Sequence, residues 1–186
     1  HICCNDGSNK NIPTKTIKRS KMTHLFLEIK TTGLNPKIDK ICYLNFALYK
    51  NDVLMADFES WVDVGSLTWD TAAYQMNFPE YETKVKCGQA DLHKMLSEFF
   101  THYLDEKAFI VAYEATFHQS FMTEFLGRDI MDKYFYSVPI CVLQRVNFIL
   151  QDQRHLFPNM KFSTIESAYN LKGTKIDNLI TLFHLK

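Results

Sequence analysis

No apolar run in this chain approaches the roughly 18 residues that a membrane span needs, so no segment is expected to cross a bilayer. A disulfide framework is missing too. The five cysteines (Cys3, Cys4, Cys42, Cys87 and Cys141) are scattered and odd in number. That usage points to a reducing, intracellular home. Residues 1–22 lack the apolar stretch of about 7–15 residues that a secretory signal carries. There is no internal repeat, and no low-complexity segment outside the N-terminal stretch. His1, Cys3 and Cys4 sit close together, but no second ligand pair follows at finger-like spacing, so a loose terminus is expected there and not a zinc site.

What is present suits one globular domain. The chain has 186 residues, 46% apolar and 14% aromatic, enough to bury a sizeable core. A formal net charge of zero hides an asymmetry. Lys10, Lys15, Lys18, Arg19 and Lys21 face only Asp6 in residues 1–21, while the rest of the chain holds sixteen bases and twenty acids. The division expected is a flexible basic arm over 1–22, rich in Asn, Ser, Thr and Lys, and a folded domain over 23–186. The sequence begins at His1, and Met22 is the expected start of the folded unit. A basic arm ahead of an acidic body suits contact with phosphate or with an acidic partner.

Apolar runs predict strands over 24–29, 40–49 and 53–62, the last two joined at Asn51-Asp52 as a hairpin. A short helix is expected over 70–77, stopped before Pro79. Helical spacing of Leu92, Met95, Leu96, Phe99, Phe100 and Tyr103 predicts a helix over 89–103. A buried strand follows over 108–113, then a helix over 116–126 ended by Gly127. Residues 134–138 read as a fifth strand, and helices are expected over 140–150, 162–171 and 177–185. The order describes an α/β domain whose mixed sheet opens with an antiparallel hairpin.

One stretch carries most of the functional information: Leu25-Phe26-Leu27-Glu28-Ile29-Lys30-Thr31-Thr32-Gly33-Leu34. It resembles the first motif of the DEDD 3′–5′ exonucleases, in which an Asp and a Glu precede Thr-Thr-Gly-Leu and both acids hold metal. Glu28 stands at the first acid and Lys30 at the second. Ile110 to Phe121 is similar to the second motif, with His118 at the metal-binding Asp and Tyr113-Glu114 at a His-Asn pair. Lys172 and Asp177 match the spacing of the third, where a general-base His precedes an Asp by five residues. The resemblance covers most of residues 24–185 and implies a ribonuclease-H-like mixed sheet flanked by helices.

It also implies a chemistry that these residues alter. The family hydrolyses a terminal phosphodiester with two divalent ions about 3.5–4 Å apart, balanced by four carboxylates. Here the five matched positions hold two acids (Glu28, Asp177), two bases (Lys30, Lys172) and His118. Such a set is self-neutralised, and ammonium groups repel Mg²⁺. An ionic cluster of Glu28, Lys30, Asp177 and Lys172 is therefore expected in place of metals, with no cofactor.

The expected role is a catalytically inactive exonuclease-like domain, a pseudo-exonuclease. It would bind nucleic acid, or scaffold protein subunits, in a replication, transcription or RNA-processing complex. Lys30, Thr31, Thr32, Gly33, Leu34, Lys172 and Lys175 are the expected contacts to single-stranded RNA or DNA. The alternative is a metal-dependent 3′–5′ exonuclease using Mg or Mn through Glu28, Asp177 and His118. Phe117 and Phe121, at i and i+4, are read as core and not as base-stacking rings. Trp61, Trp69, Tyr74, Phe78 and Tyr81 are read mainly as core, with an interface patch as the other possibility.

Overall fold

The computed structural model describes residues 22–66, 69–152 and 176–183, with no account of the side chains of 149–152 and 182. Strands β1 (Thr23–Thr31), β2 (Ile41–Lys50) and β3 (Val53–Val62) form an antiparallel meander. Helix α1 (Thr71–Glu82), the two-residue β4 (Lys86–Cys87) and α2 (Gln89–Tyr103) come next. Strand β5 (Phe109–Ala112) returns to the sheet centre, followed by α3 (Ala115–Leu126), α4 (Arg128–Tyr134), β6 (Ile140–Cys141), α5 (Val142–Asp152) and α6 (Ile176–Phe183). The sheet order is β4-β3-β2-β1-β5-β6, with β5 parallel to β1 and to β6. This is the mixed α/β sheet that the sequence leads one to expect.

Local chemistry accounts for the strand boundaries. β1 lies between β2 and β5 and is buried along most of its length, as its apolar run requires. β3 is exposed over its first half, as suits a strand near the sheet margin. The hairpin between β2 and β3 turns at Asn51 and Asp52, with φ of 54° and 65°. Two positive-φ residues in a two-residue loop match the twist of the flanking strands, and Asn and Asp tolerate that conformation best after glycine.

Two helical layers cover the sheet. On one face Leu25, Leu27 and Ile29 of β1 pack with Leu92, Leu96 and Phe100 of α2 and with Phe121 and Met122 of α3. On the other, Phe26 and Val111 meet Val142 and Val146 of α5 and Ile176 and Leu179 of α6. A third cluster of Cys42, Tyr43, Trp61, Val64 and Tyr81 seats α1 against the sheet, with Trp69 and Phe78 packed on it. Of the five aromatics around α1, only Tyr74 is substantially exposed, so core packing claims most of that group. The Cys42 thiol, buried in this cluster, is pushed up to about 12 and is inert at neutral pH.

Two expectations are corrected. Helix α1 does not stop before Pro79 but runs through it to Glu82. Pro79 lacks the N–H that would bond the carbonyl of Gln75. The last turn is held instead by Tyr81, which is buried against Trp61 and Trp69 and whose hydroxyl accepts from the Val64 N–H at 3.1 Å. The strand expected over 134–138 is not formed either. Gly127, at φ 85°, ends α3 and lets α4 start at once. Met131 and Tyr134 face the core at helical spacing, and Tyr134 Oη lies 2.7 Å from Thr101 Oγ1. Only a parallel bridge between Ala108 and Phe135 and the short β6 continue the sheet. The helix expected over 162–171 and the segment 1–21 lie outside the described residues.

Phe46 joins β2 to the helical layer through rings of Phe58, Phe99 and Phe100, with centroids 5.3, 5.0 and 6.1 Å away. Phe46→Ala should lower the unfolding free energy by about 3–5 kcal/mol, the usual cost of removing a fully buried phenyl ring. Urea denaturation measures this, and a loss under about 1 kcal/mol would mean the cavity collapses or the rings do not close on one another.

Candidate functional site

Period-two alternation places Glu28 and Lys30 on the face of β1 opposite Leu27 and Ile29. They emerge near the carboxyl end of the strand, past the parallel register of β1 with β5, which covers only His24 to Phe26. In open α/β sheets that end is where ligand crevices form. A cleft of about 370 Å³ opens here. Its walls are β1, the turn through Leu34, Ala72, Met76 and Asn77 of α1, and Tyr113 to His118 at the start of α3. A second, larger trough of about 600 Å³ runs across the same sheet face and shares Glu28 and Lys30 with the first. Asp177 of α6 and Glu80 of α1 stand on its sides.

The Thr-Thr-Gly-Leu turn is fixed by its own hydrogen bonds. Thr32, fully buried, donates its N–H to the Lys40 carbonyl at 2.9 Å, and its hydroxyl oxygen accepts from the Lys40 N–H at 3.0 Å. The Thr31 hydroxyl donates to the Gly33 carbonyl at 2.6 Å. Two bonds tie α1 to this turn: Asp70 N–H to the Thr32 carbonyl at 2.7 Å, and Asn77 Nδ2 to the Thr31 carbonyl at 3.1 Å. Asp70 also caps α1, its carboxylate accepting from the Ala72 and Ala73 N–H groups. A Cβ at Gly33 would come within 2.5 Å of the Asp39 carboxylate, so a side chain there would displace Asp39, whose Oδ2 accepts from the Asn35 N–H at 2.7 Å. Leu34, by contrast, is 80% exposed and projects at the cleft mouth near Met76, itself 73% exposed.

Lys30 does not join Glu28 in the expected ionic cluster. Its Nζ lies 2.7 Å from Glu80 Oε2, and 4.9 and 5.0 Å from the ring centroids of Tyr43 and Trp61. The ammonium is thus held by a carboxylate on α1 and two aromatic faces, an arrangement that attracts cations through the ring quadrupoles. The tie to α1 follows from the packing of Tyr81, the next residue, into the aromatic cluster. Glu80, Tyr43 and Trp61 were not among the sequence-predicted site residues. The helix stop assumed before Pro79 hid Glu80, which falls one turn after Met76 and Asn77 on the cleft side.

His118 is 8% exposed and lines the cleft. Its Nδ1 is sealed from solvent and has no hydrogen-bond partner. Burial lowers its pKa from the usual 6.5 to about 4, so the imidazole is neutral at physiological pH. Phe117 is partly buried and lines the cleft, whereas Phe121 is core. Asp177 is exposed on α6 beside the trough. Lys172 and Lys175 lie outside the described residues. Among the described residues no three His, Cys, Asp or Glu side chains are grouped to hold a metal ion, so Glu28, His118 and Asp177 do not converge on one.

No protein-family model matches the sequence, and no curated protein does. Solved structures do match in fold. A product-bound exonuclease I superposes with a TM-score of 0.59 at 12% identity, over 87% of this chain and 42% of that one. E. coli exonuclease I in complex with a 5cy-dT13 oligonucleotide gives 0.57 at 11%, over 87% and 39%. The complex of exonuclease I with the SSB C-terminus gives 0.58 at 13%, over 87% and 40%. The chain thus spans about two fifths of the length of these structures. At such identity the likeness establishes the fold, the ribonuclease-H-like α/β fold of exonuclease I.

Two outcomes follow for the site. Lys30→Ala should cost about 1–2 kcal/mol, since its side chain is 26% exposed and binds both a carboxylate and two rings. A double-mutant cycle with Glu80→Ala should give a coupling of about 0.5–1 kcal/mol, and zero coupling would remove the pair from the account. The second outcome concerns acid. Unfolded His118 takes up a proton as pH falls through 6.5, while the folded form resists until about 4. Its contribution to stability is therefore complete above 6.5 and is lost as pH falls from 6.5 towards 4, by roughly 3 kcal/mol in all. Unfolding free energies of the parent and of His118→Gln, measured across that window, should diverge by one proton in slope. Parallel curves would place the imidazole in contact with water.

Proposed function

We propose that this domain works by binding and not by hydrolysis, as a catalytically silent exonuclease-fold subunit that scaffolds a nucleic-acid-processing assembly of the replication, transcription or RNA-processing kind. The observation that carries this reading is Lys30. A fixed ammonium, 2.7 Å from Glu80, stands on the floor of the cleft where the resemblance places a metal-binding acid. Two divalent ions bring four positive charges, and a lysine ammonium in their midst raises the cost of holding them. The donor set does not fit a metal pair: Asp70 is spent as a helix cap, and the His118 Nδ1 is sealed away.

Charge favours a protein partner over a phosphate chain. Among the described residues, the cleft is lined by the acids Glu28, Asp70 and Glu114 with Lys30, and the trough by five carboxylates with that same lysine. Such surfaces repel a polyanion unless cations intervene. A second reading, binding of a single-stranded end without cleavage, is favoured by one feature. The rigid turn presents Leu34 beside Met76 over a largely apolar cleft wall, a setting in which a base could stack or wedge. The oligonucleotide complex of E. coli exonuclease I lends the fold-level precedent.

A 3′-labelled single-stranded RNA and a DNA of the same sequence, offered with Mg²⁺, Mn²⁺ or EDTA, separate these outcomes. No release of nucleotides is expected under any condition. Metal-dependent release that disappears in both Glu28→Ala and Asp177→Ala would overturn the proposal. Binding that persists in EDTA and weakens in Leu34→Ala would establish the second reading.

A further inference from the structure

The outer margin of the sheet offers a surface that the cleft does not use. β4 pairs with β3 only through Trp61↔Lys86 and Val62↔Cys87. Among the described residues, no strand lies against the outer side of residues 53–60. Backbone N–H and C=O groups along an unpaired edge are a template for another strand. Soluble proteins guard such edges with charged side chains, proline or bulges; residues 53–60 hold no lysine or proline, and their only charges are the acids Asp57 and Glu59, which select against any strand but a basic one. Val53, Leu54 and Met55 are instead 61%, 49% and 47% exposed. The register slips opposite Tyr49, which faces Leu54 while Leu48 faces Ala56, leaving Met55 as the unmatched residue of a bulge.

That slip settles which side chains share a face. Leu54, Asp57 and Glu59 all line the trough that runs between Glu80 of α1 and Asp177 of α6. The margin is therefore apolar at the start of β3 and acidic farther along. We infer that this edge is a docking site for a basic, extended segment of a partner polypeptide, added beside β3 as a further strand. Its backbone would pair with the open edge, its apolar side chains would cover Val53 to Met55, and its Lys or Arg side chains would reach Asp57 and Glu59. In such strand addition the backbone bonds supply affinity and the side chains supply selection. A second copy of this chain is the poorer occupant, because it brings a second set of the same acids to the junction. The inference does not depend on whether the cleft hydrolyses anything, so the nuclease assay and the test below fail independently.

The test uses the full 186-residue chain and two labelled eight-residue probes, one alternating Lys with Val and one alternating Glu with Val. Fluorescence anisotropy should show binding of the lysine probe alone, weakening with added salt. Asp57→Asn combined with Glu59→Gln should weaken it by about tenfold, as expected when two rim charges are lost. Asp91→Asn with Asp129→Asn, on α2 and α4, should leave it unchanged. Hydrogen exchange should slow, when the probe binds, at the amides of 53–60 that point away from β2. Equal affinity of the parent and the Asp57/Glu59 variant would overturn the proposal. So would slow exchange, in the free chain, at those amides of 53–60 that point away from β2. If that slowing were independent of concentration, the chain's own basic residues 10–21 would be the occupant; if it rose with concentration, a second copy would be.

Discussion

One change of burial along a single strand governs this molecule. β1 is sealed on both faces up to Leu27, then opens on one face at Glu28 and Lys30 while Ile29 and Thr31 stay buried on the other. The sealed half needs apolar residues on every position and so anchors both helical layers. The open half is where polar chemistry can stand on a rigid strand. Because strand alternation is strict, any residue at 28 or 30 must face the cleft, whatever its charge.

That constraint makes the lysine at 30 consequential. An unpaired ammonium on a half-buried strand would cost desolvation energy without return. The fold meets this by continuing α1 past Pro79, which carries Glu80 to within 2.7 Å, while the β1–β2–β3 register sets Tyr43 and Trp61 beside the charge. The proline, the aromatic cluster and the ion pair are thus one solution. Tyr81 supplies the packing that holds the last helical turn, and that turn supplies the carboxylate. With the ammonium held in place by α1, it acts as a brace between helix and sheet.

How far the sequence revealed this depends on the range of the forces involved. The meander was legible because apolar runs and an Asn-Asp turn are local signals, and the structure turns there with positive φ at both residues. The helices α2 and α3 were legible from spacing alone. The Thr-Thr-Gly turn was legible as a motif, and Gly33 leaves room there for the Asp39 carboxylate. Pro79 misled because its local penalty was outweighed by tertiary packing that no window of sequence contains. Residues 128–135 misled for a related reason: Ile130, Met131, Tyr134 and Phe135 fit a helix, but the aromatic run at its end reads as strand. The partner of Lys30, fifty positions away, could not be found by spacing, since contacts between a strand and a distant helix carry no period.

The same reasoning bears on what the acidic trough is for. If the carboxylates around Glu28 were only relics of a metal site, the excess of acid should end at the cleft. It does not end there. Asp57 and Glu59 on β3 carry it across the sheet to the margin, on residues outside the three motifs that resemble the exonucleases. Glu59 accepts from the Tyr43 hydroxyl at 3.1 Å, so it is built into the same aromatic support that holds Lys30. Among the described residues, the acidic band therefore runs from the cleft to the open strand edge, and its extent is set by the alternation of β3 and not by the three motifs alone.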